Sequence, residues 1–191
     1  MSHDRPMTFD TYVQQHLFER RVVLAQGVLD DDLATRTSAQ LLTLEALADK
    51  PIRLHLGCPG GELGAALSLV DTVRVLGVEL TAVAVGEVSG AAIGVLAAAP
   101  RRLAYPHARF ALTEPKATEI HGTAGEVDAF AREHLRQRDA LVEVLAEATG
   151  RQPEAISDDL RHGRFLTAEQ AVGYGLVDAV VSPAERGAAG A

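Results

Sequence analysis

Two hydrophobic periods alternate along this chain. Arg21-Val22-Val23-Leu24 is short and β-branched, and Gly27 and Asp30-Asp31-Asp32 close it off. From Leu33 onward, Leu33, Thr37, Leu41, Leu44 and Ala48 share one helical face, and Pro51 ends that helix. Ile52, Leu54 and Leu56 then alternate with Arg53 and His55, the period of a strand with one buried face. Residues 62–76 read as a helix, and 79–85 as a Val-rich strand. Residues 91–99 form a helix apolar on every side, and so a buried one. Residues 102–105 and 109–112 are short strands around Pro106.

The longest helix comes next. Thr123 and Glu126 have the spacing of a capping box, and Gly150 stands where a left-handed C-cap is wanted. A helix between them approaches ~40 Å, long enough to project from a small domain. Its charged residues, among them Glu126, Asp128, Arg132, Glu133 and Arg136, fit a solvated face. Further helices start at Pro153 and at Thr167, the latter with a second box to Gln170, and residues 176–181 read as a last strand. Residues 1–11 are expected to be a flexible N-terminal segment. Residues 12–181 are expected to form one domain, and the Pro, Gly and Ala-rich residues 182–191 a flexible tail. The pattern is that of a single α/β domain built from ββα-like units.

Composition narrows the chemistry. The chain has 191 residues, 47% of them hydrophobic, enough for one domain with a proper core. Lys and Arg total 18 against 26 acidic residues, a net charge of −8 that argues against a nucleic-acid partner. A single cysteine, Cys58, excludes an intrachain disulfide framework and fits a reducing compartment. In the Gly57-Cys58-Pro59 turn it reads as a small buried thiol. The polar opening residues lead into no signal-peptide apolar region, and no apolar run approaches the roughly 20 residues needed to span a bilayer. A cytoplasmic protein with no membrane partner, no cofactor and no metal is the expectation.

Two glycine-rich turns feed helices: Gly57-Cys58-Pro59-Gly60-Gly61, and Gly86-Glu87-Val88-Ser89-Gly90-Ala91-Ala92. Such turns present clustered backbone N–H groups to a developing oxyanion. A hydrolase needs in addition a nucleophile with a base beside it. Ser89 supplies a hydroxyl, but at this place it reads first as an N-cap for a helix starting at Gly90. As a displaced nucleophile it would need a base within about 3 Å. His107 lies six residues before Thr113, roughly 20 Å away along a strand. His162 reads as a loop histidine bonded to solvent.

Several ordered motifs resemble the Clp protease proteolytic subunit family. They are Pro59-Gly60-Gly61, then Val85-Gly86-Glu87-Val88-Ser89-Gly90, then Pro106-His107-Ala108-Arg109-Phe110. Arg164-Phe165-Leu166-Thr167-Ala168-Glu169-Gln170-Ala171 and Tyr174-Gly175-Leu176-Val177-Asp178 complete the series. The resemblance runs from about residue 12 to 181. It implies a crotonase-like ββα spiral in which the long helix is a protruding handle. It also implies two stacked seven-membered rings around a chamber of serine peptidase sites, fed by an ATPase unfoldase. The family's serine, histidine and aspartate fall on Gly90, Thr113 and Gly163, so the triad does not carry over. Its oxyanion donors, which are backbone N–H groups, fall on Gly61 and Ala91.

The resemblance therefore implies a non-catalytic structural or regulatory ring subunit in ATP-dependent proteolysis, homo-oligomeric or mixed with a paralogue. Two enzymatic alternatives stand beside it. One is a divergent serine hydrolase or peptidase using Ser89, with His162 as fallback. The other is a crotonase-type enzyme using Glu87 and Glu114 as a carboxylate pair. Glu62, Glu87 and Glu114 near the cradle would oppose the negative charge it is built to hold. In the family, the strand before Pro-Gly-Gly displays aromatic residues toward the ATPase's loops. Here Arg53 and His55 stand there, so docking of an apolar loop is expected to weaken.

Overall fold

The computed structural model describes residues 9–115 and 122–182. Among these, helix α1 (Phe9–Glu19) leads into strand β1 (Val22–Gln26), helix α2 (Asp31–Leu47) and strand β2 (Ile52–Gly57). Helix α3 (Leu63–Val75), strands β3 (Leu80–Ala84) and β4 (Glu87–Ser89) and helix α4 (Ala92–Ala98) follow. Then come β5 (Arg101–Ala104), β6 (Arg109–Leu112), α5 (Ala124–Thr149), α6 (Pro153–His162), β7 (Arg164–Thr167), α7 (Ala168–Tyr174) and β8 (Ala179–Val180).

The strands form two sheets. One is parallel, in the order β1-β2-β3-β5-β8; the other has the order β4-β6-β7, with β7 antiparallel to β6. Successive strands divide between them: β3 and β5 join the larger sheet, and β4 and β6, which follow them, the smaller. A helix comes after each such pair, so the repeating ββα unit expected from the sequence is the organising motif. The fold is the mixed α/β class expected.

The alternation in β2 works as read. Ile52, Leu54 and Leu56 are buried in the core, while Arg53 and His55 on the other side are half-buried. In α2 the buried face is Leu33, Ala34, Thr37, Leu41 and Leu44, and its N-cap Asp30 accepts from the Leu33 N–H at 2.8 Å. Helix α4 is buried along almost its whole length. Both capping boxes form, Thr123 with Glu126 and Thr167 with Gln170, and Gly150 adopts the left-handed C-cap at φ 69°.

Helix α5 has 26 residues and is about 39 Å long. Its buried residues begin at Leu141, and Val127, Phe130 and Leu135 are exposed. The N-terminal half therefore projects from the core as a handle. It is laced by Asp128–Arg132 and Glu133–Arg136 pairs.

Four elements differ from the sequence reading. Helix α1 starts at Phe9, inside the stretch read as flexible, while residues 1–8 lie outside the described residues. Strand β4 occupies part of what reads as a glycine-rich turn. Strand β7 was not expected. The last strand is confined to Ala179–Val180, because Leu176 and Val177 are consumed by the buried turn after the left-handed Gly175. Of the expected tail, residues 183–191 lie outside the described residues.

One ion pair ties the last strand to the sheet. Arg102 donates Nη2 to Asp178 Oδ1 at 2.8 Å and Nη1 to the Ala148 carbonyl at 2.9 Å. Its backbone N–H donates to Asp178 Oδ2, and Asp178 N–H returns a bond to the Arg102 carbonyl. Arg102→Ala is expected to lower stability by about 2–3 kcal/mol, since it removes charge-assisted bonds from a largely buried guanidinium. Urea unfolding followed by far-ultraviolet circular dichroism measures this.

Candidate functional site

The site forms where the turn after β2 meets the β4–α4 junction. Ser89 N–H donates to the Cys58 carbonyl at 3.0 Å, and Gly90 N–H to the Ala111 carbonyl at 3.1 Å. Pro59 and Ser89 also bridge in parallel. These bonds hold Gly90 between the glycine turn and β6, with φ 57°. A methyl group at Gly90 would lie 3.8 Å from Gly60 Cα and 3.9 Å from Thr113 Oγ1. One at Gly163, where φ is 73°, would lie 3.9 Å from Thr113 Cγ2. The three positions singled out from the sequence are thus neighbours in space. Two of them have no side chain, and the third offers a half-buried threonine.

The two positions expected to supply the backbone cradle are each held by their neighbours. Gly61 is pinned against Leu29, whose Cβ and carbonyl would stand 2.5 and 2.6 Å from any side chain at position 61. Glu62 N–H bonds the Leu29 carbonyl, and Leu29 N–H the Gly60 carbonyl. Among the described residues, neither the Gly61 N–H nor the Ala91 N–H donates a backbone hydrogen bond. Ala91 is the N-cap of α4, in αR conformation.

Ser89 does not cap that helix. Gly90 and Ala91 intervene before α4 begins, so the Ser89 hydroxyl is out of position for the free N–H groups. It is a buried strand residue, and its Oγ donates to Glu87 Oε1 at 3.2 Å. Neither histidine considered as its base hydrogen-bonds it. His162 closes α6, with Nδ1 bonded to the Asp158 carbonyl at 2.8 Å. His107 lies in the exposed turn before β6, at the end of that strand away from Thr113.

The three glutamates are all exposed. Glu62 stands at the N-cap of α3 without a side-chain capping bond. Glu87 holds Ser89. Glu114 pairs with Arg138 of the handle at 3.4 Å, and its N–H bonds the Leu160 carbonyl. Glu87 and Glu114 therefore have separate partners. Arg138, which also pairs with Asp139, could not be connected to the site from the sequence. It lies 24 residues from Glu114, and no local pattern signals the contact.

A partly buried cluster around Tyr174 supports the Gly163 side. Tyr174 OH donates to Asp159 Oδ2 at 2.7 Å, and Arg164 Nη1 to Asp159 Oδ1 at 3.0 Å. The Arg151 guanidinium stacks on the Tyr174 ring at 3.9 Å. Burial, then the Asp159 hydrogen bond, pushes the Tyr174 phenol up, so this tyrosine is neutral and acts as a donor.

A family model described as Clp protease matches residues 5–184. The chain belongs to the Clp protease family. It is 36% identical over 168 residues to the ATP-dependent Clp protease proteolytic subunit 1 of Thermobifida fusca, covering 86% of this chain and 76% of that relative. It is 33% identical over 177 residues to proteolytic subunit 2 of Streptomyces coelicolor, covering 91% and 80%. Over 171 residues it is 33% identical to proteolytic subunit 3 of Rhizobium etli, covering 88% of each. The family resemblance read from the motifs is thus shown over nearly the whole domain. No helix among the described residues is long and apolar enough to cross a membrane.

Cys58, in the Clp-like glycine turn, is fully buried, and its Sγ approaches the Ala25 carbonyl at 3.5 Å. Burial pushes its thiol up to about 11 from an ordinary value of 9.0. A thiol so raised has about one hundredth of the usual thiolate at neutral pH. Native protein is therefore expected to alkylate with iodoacetamide at least ~100-fold more slowly than unfolded protein at pH 7.5. The rate should still be climbing steeply above about pH 10; a rate half-maximal near pH 9 and levelling off by about pH 10 would show an ordinary thiol.

Proposed function

We propose that this chain is a non-catalytic subunit of a Clp-type protease, a structural or regulatory ring member that retains the family chassis without its chemistry. One observation carries the reading. Among the described residues no nucleophile–base pair stands at the meeting point of Gly90, Thr113 and Gly163, while the Gly61 and Ala91 N–H groups are left without a backbone acceptor. Acyl transfer needs a nucleophile with a base in hydrogen-bond reach, and an oxyanion cradle cannot replace either.

Heptameric rings, either of this chain alone or mixed with a catalytic paralogue, and cytoplasmic residence belong to this reading. The projecting α5 handle, with its exposed Val127, Phe130 and Leu135, supports assembly. ATPase docking through this subunit is altered. Arg53 and His55 replace an apolar surface, and a cation inside an apolar interface is unfavourable unless paired.

The alternatives fit less well. Ser89 as a nucleophile is buried and bonded to a carboxylate, and among the described residues no imidazole hydrogen-bonds it. A crotonase-type pair would need Glu87 and Glu114 to act together, and each is engaged elsewhere.

An active-site fluorophosphonate probe tests the claim. Purified protein should remain unlabelled and should not cleave fluorogenic peptides. Labelling at Ser89, with turnover lost in Ser89→Ala, would establish the hydrolase instead. The triple change Gly90→Ser, Thr113→His, Gly163→Asp is expected to restore little activity, at least ~10³-fold below an active relative. Glu87 persists beside the cradle, and Arg138 neutralises Glu114 only at an exposed pair. Robust cleavage by the triple variant would contradict the electrostatic part of the reading.

A further inference from the structure

Helix α4 runs out in Ala97-Ala98-Ala99-Pro100. The proline ends the helix, and three methyl side chains fill little space, so the packing of α4 against its neighbours stops short here. What remains is a cleft of about 620 Å³, walled by the ends of α3, α4 and α5 and by the starts of β3 and β5. Its size falls within the range of small-molecule sites, about 300–1,000 Å³. It is separate from the site above, because Ala91 stands at the opposite end of α4.

Val73, Leu80 and Val144 line the cleft with apolar surface and are almost fully buried. Its charged residues are two arginines and one glutamate. Arg74 of α3 pairs with Glu147 of α5 at 2.6 Å, and both side chains are exposed. An exposed pair of this kind contributes little, so a competing carboxylate can take the place of Glu147. Arg102 is a fixed cation, its Nη2 held by Asp178 and its Nη1 by the Ala148 carbonyl. Among the described residues, Arg102 Nε is the one buried side-chain nitrogen or oxygen without a hydrogen-bond partner. A buried donor with no acceptor is costly, and this one belongs to a residue that lines the cleft.

We propose that this cleft is a binding site for a small organic carboxylate with an aliphatic or aryl body. The body lies against Val73, Leu80 and Val144, in the space left by the alanine run. The carboxylate pairs with Arg74 and supplies an acceptor to the Arg102 guanidinium. An anion fits better than a cation because the acidic groups here, Glu147 and Asp178, are each committed to an arginine, whereas Arg102 still lacks an acceptor. Such a site is independent of whether the Gly90–Thr113–Gly163 position is catalytic.

Saturation-transfer difference NMR on the full-length protein, with 4-phenylbutanoate and its neutral amide as probes, tests this. The carboxylate is expected to bind with a dissociation constant of about 0.1–1 mM, as a probe of about a dozen non-hydrogen atoms allows. The amide should bind about tenfold more weakly. Arg74→Gln should weaken the carboxylate about tenfold and the amide little. Glu147→Gln should tighten the carboxylate about threefold by freeing Arg74. Ala98→Leu fills the partly exposed end of the cleft and should abolish binding of both probes. Thermal unfolding of the Arg74 and Glu147 variants should stay within about 2 °C of the native chain, because the pair they break is exposed.

Absence of carboxylate binding, equal affinity for the amide, or affinity unaltered by Arg74→Gln would each overturn the proposal. So would a carboxylate that binds the Ala98→Leu variant as tightly as the native chain, since it would then sit elsewhere, the glycine cradle included. None of these outcomes bears on the fluorophosphonate result, so the two readings fail separately.

Discussion

The site depends on one joint in the backbone. Strand β4 is only three residues long, yet Ser89 N–H reaches the Cys58 carbonyl and Gly90 N–H the Ala111 carbonyl, which fixes its register against both neighbours. A slip of one residue would reverse the faces of Val88 and Ser89, moving a core valine outward. The joint therefore decides that Ser89 is buried beside Glu87, and that a position without a side chain faces Thr113. Leu29 presses on Gly61 from the other side with no room for a Cβ, which holds the glycine turn against this joint.

The contacts that hold the site together are made by backbone groups, apolar side chains and one polar cluster, not by side chains at its centre. Val88, Ala91, Ala92 and Ile93 are fully buried around the junction. On the far side, the Asp159–Tyr174–Arg164 cluster anchors the turn at Gly163 through the Gly163 N–H to Asp159 carbonyl bond. Catalytic side chains are usually a burden on stability. Glycine at two of these places is therefore compatible with the intact fold. On the proposed reading, this separation lets a family chassis persist as an assembly part.

Much of the scaffold was legible because it is written in local patterns. The Ile52, Leu54, Leu56 alternation, the α2 face, both capping boxes and the Gly150 terminus depend on spacing alone. What escaped depends on partners distant in sequence. Strand β7 carries exposed Arg164 and Phe165 and exists through antiparallel pairing with β6, more than fifty residues earlier. Ser89 looked like a cap because Gly90 reads as helical; its φ of 57° inserts a turn instead. The Gly90–Thr113–Gly163 grouping was recoverable only through family motifs, since nothing in two glycines and a threonine signals a site.

Native mass spectrometry of the purified chain, alone and co-expressed with a catalytically active Clp proteolytic subunit, tests the account most directly. The account predicts ring-sized assemblies that contain this chain, with peptide hydrolysis in the mixed rings abolished by inactivating the partner's serine. A chain that is monomeric in both preparations, or mixed rings that go on cleaving peptides after the partner's serine is replaced, would contradict it.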